Sequence, residues 1–184
     1  MRIIGGTHRG RTIKMPGKNA RPTQDRVREA IFNVIRDRVP ESAVLDLYAA
    51  SGAFGLEALS RGALSCVFVD NNSKCIKTTK SNISSLGYSS EFTQLFRKDA
   101  LKSIDAFAKE ARSFDIIFMD PPYYEDRAKN CLIKIGACDI LAPHGFVVAE
   151  HSTNDLMPEK TGVLTLFKQK RYGDTRVSFY LGGT

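Results

Sequence analysis

Tryptophan is absent from this 184-residue chain, and nothing in it resembles a membrane span. The longest apolar runs, such as Ile116-Ile117-Phe118-Met119, stop after a few residues. Met1-Arg2-Ile3-Ile4 runs at once into Gly5 and Gly6, which leaves no room for the apolar core of a signal peptide, so the expected address is the cytoplasm. The four cysteines, Cys66, Cys75, Cys131 and Cys138, form no C-x-x-C pair, and His8, His144 and His151 add no metal-ligand spacing. Free thiols and no metal are expected. Also missing are internal repeats, low-complexity stretches, a G-x-G-x-x-G dinucleotide fingerprint and any Pro-Cys pair. The last absence argues against methylation at cytosine C5, which needs a thiolate to attack the ring.

What remains is ordinary for a globular domain: 42% hydrophobic and 26% charged residues, in a length that suits a single core with a short extension. The net charge of +7 and pI near 9.3 suit a polyanionic partner or a generally basic surface equally. The excess is concentrated early. Residues 2–38 hold Arg2, Arg9, Arg11, Lys14, Lys18, Arg21, Arg26, Arg28, Arg36 and Arg38 against Asp25, Glu29 and Asp37.

From residue 43 onward short apolar strands alternate with helices. Strands are expected over 43–48, 66–70, 92–97, 115–119 and 145–150, and helices over 53–61, 73–86, 100–111 and 127–141. This repetition implies a mostly parallel α/β sheet with helices on both faces. The segments 163–168 and 176–181 then read as an antiparallel edge hairpin, giving seven strands in all. Ahead of this core (41–184) lies a basic extension (1–40). It comprises a small β-hairpin over 1–15, a loop over 16–22 and a helix. Thr23 is the helix's expected N-cap, and Val27, Ile31, Val34 and Ile35 form its apolar face.

In such a sheet ligands bind beyond the carboxyl ends of the strands, and four of the five expected strand ends carry an aspartate. The first loop, Asp46-Leu47-Tyr48-Ala49-Ala50-Ser51-Gly52, is too poor in glycine to cradle a pyrophosphate. It suits a cationic, phosphate-free ligand such as S-adenosylmethionine. Asp70, followed by Asn71, is placed to accept from both ribose hydroxyls; Asp99 and the Ala100 N–H are placed to meet an adenine ring, although Asp99 taken alone reads more readily as a helix N-cap. Asp120-Pro121-Pro122-Tyr123 is the sharpest signal. An exocyclic base amine is a poor nucleophile because its lone pair is delocalised. A carboxylate from Asp120 and a carbonyl from the N–H-free Pro121-Pro122 turn could accept from the NH₂ and free that pair, with Tyr123 stacking on the base.

These residues resemble the RsmD-type 16S rRNA guanine-N2-methyltransferases of the class I S-adenosylmethionine-dependent fold. The likeness runs through Met1-Arg2-Ile3-Ile4-Gly5-Gly6, Arg9-Gly10-Arg11, Arg21-Pro22-Thr23, Arg28-Glu29-Ala30, Leu56 to Ala63, Asp120 to Tyr123 and Tyr172-Gly173. It implies methylation of the N2 amino group of one guanine in small-subunit rRNA, within an assembled or assembling subunit, by a monomer. RNA contacts are then expected from Arg9, Arg11, Arg21, Thr23, Arg26, Arg28, Arg171 and Tyr172, and cofactor contacts from Asp46, Tyr48, Ala50, Ser51, Gly52, Asp70, Asn71, Asp99 and Ala100. One departure is Ala50, where the family usually has glycine; its Cβ is expected to weaken cofactor binding at most. Two other readings stay open: an adenine-N6 methyltransferase of DNA or RNA, which would share Asp120 to Tyr123, and a non-catalytic RNA-binding assembly factor.

Overall fold

Alternation along the central strands divides the apolar residues between two layers. The computed structural model of the protein describes residues 1–17, 23–122 and 126–183, with only the backbone of Thr23 and Gln24. Within β1 (Ala43–Leu47), Val44 points to one side and Leu45 and Leu47 to the other; β4 (Phe114–Met119) divides in the same way between Ile116 and Phe118 and Ile117 and Met119. The first layer is covered by α1 (Thr23–Val34), α2 (Ala53–Ser60) and α3 (Ser73–Leu86), and the second by α4 (Ala100–Lys109) and α5 (Arg127–Ala137). None of the described helices is long and apolar enough to cross a membrane.

With β2 (Ser65–Asp70), β3 (Thr93–Arg97) and β5 (Leu141–Ser152), the parallel part of the sheet runs β3-β2-β1-β4-β5. Its order reverses between β1 and β4, and the crevice at such a switch point is where ligands bind. Beyond β5 the direction changes. Strand β8 (Thr175–Gly182) lies antiparallel on β5, and β7 (Leu164–Tyr172) lies antiparallel outside β8. The two-residue β6 (Lys160–Thr161) pairs with β7 and makes an eighth strand where seven were expected. It fits because Gly162 and Gly136 of α5 meet backbone to backbone; a Cβ on Gly162 would stand 1.8 Å from the Gly136 carbonyl oxygen.

Sequence periodicity carried α5 too far. The helix ends at Ala137, and Leu141 instead pairs with Phe114 at the start of β5. Pairing with a buried central strand outweighs a locally helical apolar pattern.

The N-terminal segment is less separate than its composition implied. Arg2 and Thr12 bridge, and the Ile3 and Ile13 side chains are buried in the first layer with α1, α2 and α3. Residues 1–17 are therefore packed into the first layer and are not a detached arm.

Candidate active site

Three strand ends and one loop meet at the switch point. The loop after β1 is bent by left-handed backbone at Tyr48 (φ 62°), Ala50 (φ 50°) and Gly52 (φ 77°). Glycine adopts this freely and alanine at a cost, which explains why glycine is the expected residue at position 50. The bend is held from both sides. The Ala50 N–H donates to the Asp70 carboxylate at 2.9 Å, Thr79 Oγ1 donates to the Ala50 carbonyl at 3.1 Å, and Asn82 Nδ2 donates to the Ser51 carbonyl at 2.9 Å. Thr79 and Asn82 lie on the buried face of α3 with Ile83 and Leu86. Polar residues on an apolar helix face were the available sequence signal for them. Replacing Ala50 with glycine should relieve about 1 kcal/mol of strain, raise the melting temperature by roughly 2–4 °C and tighten cofactor binding in calorimetry. A lower melting temperature would place the strain elsewhere.

Asp46 serves this loop from below. It is fully buried, and its carboxylate accepts from the Gly55 N–H at 3.0 Å, capping α2 where Gly52 has no side chain to do so. It lines neither of the two cavities described below, so its expected contact with the cofactor becomes a supporting role under the loop. Burial pushes its carboxyl up to about 7; the Gly55 N–H opposes this and the Asp70 charge adds to it. The folded chain therefore keeps a proton there that the unfolded chain releases near pH 4. The stability this confers at low pH is lost as the pH rises towards 7. Asp46→Asn should flatten that loss, with a gain of at most about 4 kcal/mol over the unsubstituted chain at pH 8 and much less at pH 5. Parallel denaturation curves of the ligand-free proteins at both values would contradict the shift.

Two cavities meet beside Asp120. The larger, a cleft of about 750 Å³, includes Tyr48, Asp70, Asn71, Asp99, Asp120 and Pro122 in its lining. Each Asp70 oxygen accepts one backbone bond, from the Ala50 N–H at 2.9 Å and from the Asn72 N–H at 2.8 Å, and the residue lines the cleft. Asp99 caps α4 through the Lys102 N–H at 3.1 Å, as the plainer reading held, and lines the cleft as well. Ala100 is buried behind it. The described lining carries three carboxylates and one guanidinium, Arg127. A phosphorylated nucleotide would be repelled by this set, whereas S-adenosylmethionine, with a sulfonium, an ammonium and no phosphate, fits it.

The second cavity shares Tyr48, Ala50 and Asp120 with the first and adds Met1, Arg28, Phe54 and Glu150. Phe54 stacks on Phe118 with centroids 5.1 Å apart. Neither Phe54, within a helix expected from its apolar pattern, nor Met1 was among the site residues the sequence pointed to. Burial pushes the Asp120 carboxyl well above the usual carboxylate range, and the Glu150 and Asp46 charges push it further. Pro121 is buried and Pro122 exposed; Tyr123 and Arg21 lie outside the described residues, as does the Thr23 side chain.

The chain matches the family described as "Conserved hypothetical protein 95" over residues 1–181. It is 42% identical, over 98% of both chains, to the Bacillus subtilis protein provisionally designated rRNA methyltransferase YlbH. The chain belongs to this family of RsmD-like methyltransferases. Another member, ribosomal RNA small subunit methyltransferase D of Haemophilus influenzae, is 32% identical over 98% of this chain and 93% of its own. Among solved structures, the Escherichia coli protein yhhF, provisionally a methyltransferase, superposes with a TM-score of 0.86 at 28% identity. That match covers 100% of this chain and 98% of yhhF.

One residue expected to contact RNA, Arg28, faces inward and lines the second cavity of the methyltransferase instead of its outer surface. Arg28 is only 2% exposed, and it donates to the Arg2 carbonyl and, at 3.1 Å, to Asp25. Its Nε also lies 3.6 Å from Glu57. The side chain points inward because Arg28 shares the buried face of α1 with Phe32 and Ile35, four and seven residues on. Arg9, Arg11 and Arg26 are exposed, with Arg11 donating to the Ser85 carbonyl at 2.9 Å. Arg171 closes its own turn through Gly173 at 2.9 Å while remaining exposed, and Tyr172 packs against the core. Because Thr175 pairs with Ser152 at the end of β5, this turn stands at the edge of the sheet that carries the site.

Proposed function

We infer that the enzyme methylates the exocyclic N2 amino group of a guanine in small-subunit ribosomal RNA, with S-adenosylmethionine as methyl donor. The observation that carries this is the place of Asp120, on the shared wall of an acidic cleft and a second, largely apolar cavity. The names of its relatives as rRNA methyltransferases support the substrate. When bound, S-adenosylmethionine supplies a methyl group attached to a positively charged sulfur.

The residues divide the work. Asp70 accepts from the ribose hydroxyls, Asn71, Asp99 and Ala100 flank the adenine, and Tyr48, Ala50, Ser51 and Gly52 shape the methionine end. In the second cavity, Phe54 offers a face to the target base, while Asp120 and the Pro121 carbonyl accept from its amine; stacking by Tyr123 is what the Asp-Pro-Pro-Tyr motif implies. That pair of acceptors localises the nitrogen lone pair and aims it at the cleft. Once methylated, the nitrogen is cationic and the Asp120 carboxylate takes the surplus proton, a role suited to a carboxyl whose surroundings favour protonation. Residues 1–40 supply RNA contacts and residues 41–184 the catalytic core of a single cytoplasmic domain that works as a monomer on the assembling or assembled small subunit.

Labelled methyl transfer to small subunits and to protein-free rRNA, followed by nucleoside analysis, tests the reading. N2-methylguanine is expected. Methyladenine would overturn the substrate, and no transfer to either would return the chain to the class of non-catalytic RNA-binding factors.

A further inference from the structure

The N-terminal hairpin and α3 are far apart in the chain and adjacent in space. Lys14 Nζ donates to Ser81 Oγ at 3.3 Å, and the Lys14 backbone exchanges bonds with the Asn82 side chain at 2.8 and 2.9 Å. Arg11 reaches the Ser85 carbonyl, and His8 packs on Tyr88 with ring centroids 5.0 Å apart. The two pieces share a compositional feature. Residues 1–17 contain Arg2, Arg9, Arg11 and Lys14, residues 73–88 contain Lys74, Lys77 and Lys80, and neither contains a single Asp or Glu. All seven side chains are exposed, and none has an acidic partner within ion-pair distance among the described residues. The opposite layer differs: there Lys134 of α5 pairs with Asp105 of α4 at 2.5 Å.

A helix face with lysines at i, i+3 and i+6 and no acid is a solvated surface when it stands alone. Here it continues a basic hairpin, and the two form one ridge. The ridge starts beside Met1 and Met15, which line the second cavity, and follows α3 for about 21 Å. Like charges held this close repel one another and are kept for a polyanion that releases counterions on binding.

We propose that the Lys77–Lys80 face of α3, joined to Arg9, Arg11 and Lys14 of the hairpin, is a phosphate-binding track for the RNA flanking the target nucleotide. It rests on the functional reading above and extends the RNA surface to a helix that composition alone did not single out. The contact is to the sugar–phosphate backbone, so it positions the RNA without reading its sequence.

The test is a salt titration of binding to protein-free small-subunit rRNA, using the full chain. Lys77→Gln with Lys80→Gln should reduce the slope of log affinity against log salt by about 1.5. The same variant should raise KM for RNA with little change in kcat, and leave S-adenosylmethionine affinity unchanged. Lys109→Gln with Lys160→Gln, on exposed residues outside the ridge, is the control and should leave the slope as it is. An unchanged slope in the α3 variant overturns the track, and so does an equal fall in the control, which would mean diffuse attraction. An effect seen only with assembled subunits would make the occupant a protein. If the unsubstituted chain bound neither protein-free rRNA nor small subunits, the functional reading itself would fail first.

Discussion

Asp120→Ala is expected to lower methyl transfer by roughly 10²–10⁴-fold, the range over which positioned acid–base groups act. S-adenosylmethionine affinity should stay within about tenfold, because Asp70 and the loop after β1 are untouched. The two measurements together separate a lost reaction step from a lost binding site. The pH profile adds an independent check. Burial beside Glu150 and Asp46 holds the Asp120 carboxyl well above the ordinary range, so the amine-accepting carboxylate forms only as the pH rises. The acid limb of kcat/KM should therefore lie above the usual carboxylate range, with activity increasing on its alkaline side. A limb near pH 4, or normal turnover in the alanine variant, would remove Asp120 from the mechanism.

Glu57→Ala should be the most damaging substitution for stability. This fully buried carboxylate accepts from the Ile4 and Gly5 N–H groups at 2.8 Å and from Arg61 Nε at 2.7 Å, and it faces Arg28. Without it the Arg28 guanidinium stays buried, where desolvation already opposes its charge and Glu57 and Asp25 offset that. Removing one partner of such a cluster costs about 3–5 kcal/mol, or a fall of roughly 10 °C in melting temperature for a chain of this size. Glu57→Gln, which can still accept from one backbone N–H, should recover part of the loss. A variant melting within about 2 °C of the unsubstituted chain would show that the hairpin is anchored elsewhere.

Both residues bear on what the sequence could disclose. Asp120 was legible because a buried strand ending in Asp-Pro-Pro has few purposes, and Asp70 and Asp99 were legible from the same strand-end logic. Parallel topology followed from the alternation of strands and helices. Glu57 was not legible: it sits between Leu56 and Ala58 in a helix apolar nearly all round, and the backbone N–H groups it anchors, of Ile4 and Gly5, are about fifty residues away. Arg28 was read by charge and placed on RNA, although its spacing to Phe32 and Ile35 put it on the buried face. Charge describes what a side chain would prefer in water; position on the helix decides whether it meets any. The eighth strand was hidden for a related reason. Two residues carry no periodicity, and only the Gly136–Gly162 approach makes room for them.

The order of the last strands has a consequence for synthesis. Strand β8 leaves the ribosome after β7 yet occupies the inner position, between β5 and β7. When β7 emerges, β8, the strand that will separate it from β5, has not been made, and the edge of β5 is an open template. A nascent chain that paired β7 with β5 would have to undo that register before β8 could enter. Fast closure of the hairpin at Gly173-Asp174 avoids the trap, since two joined strands can dock on β5 as one unit. The short turn at the end of β7 thus also sets the sequence of events by which the sheet is completed.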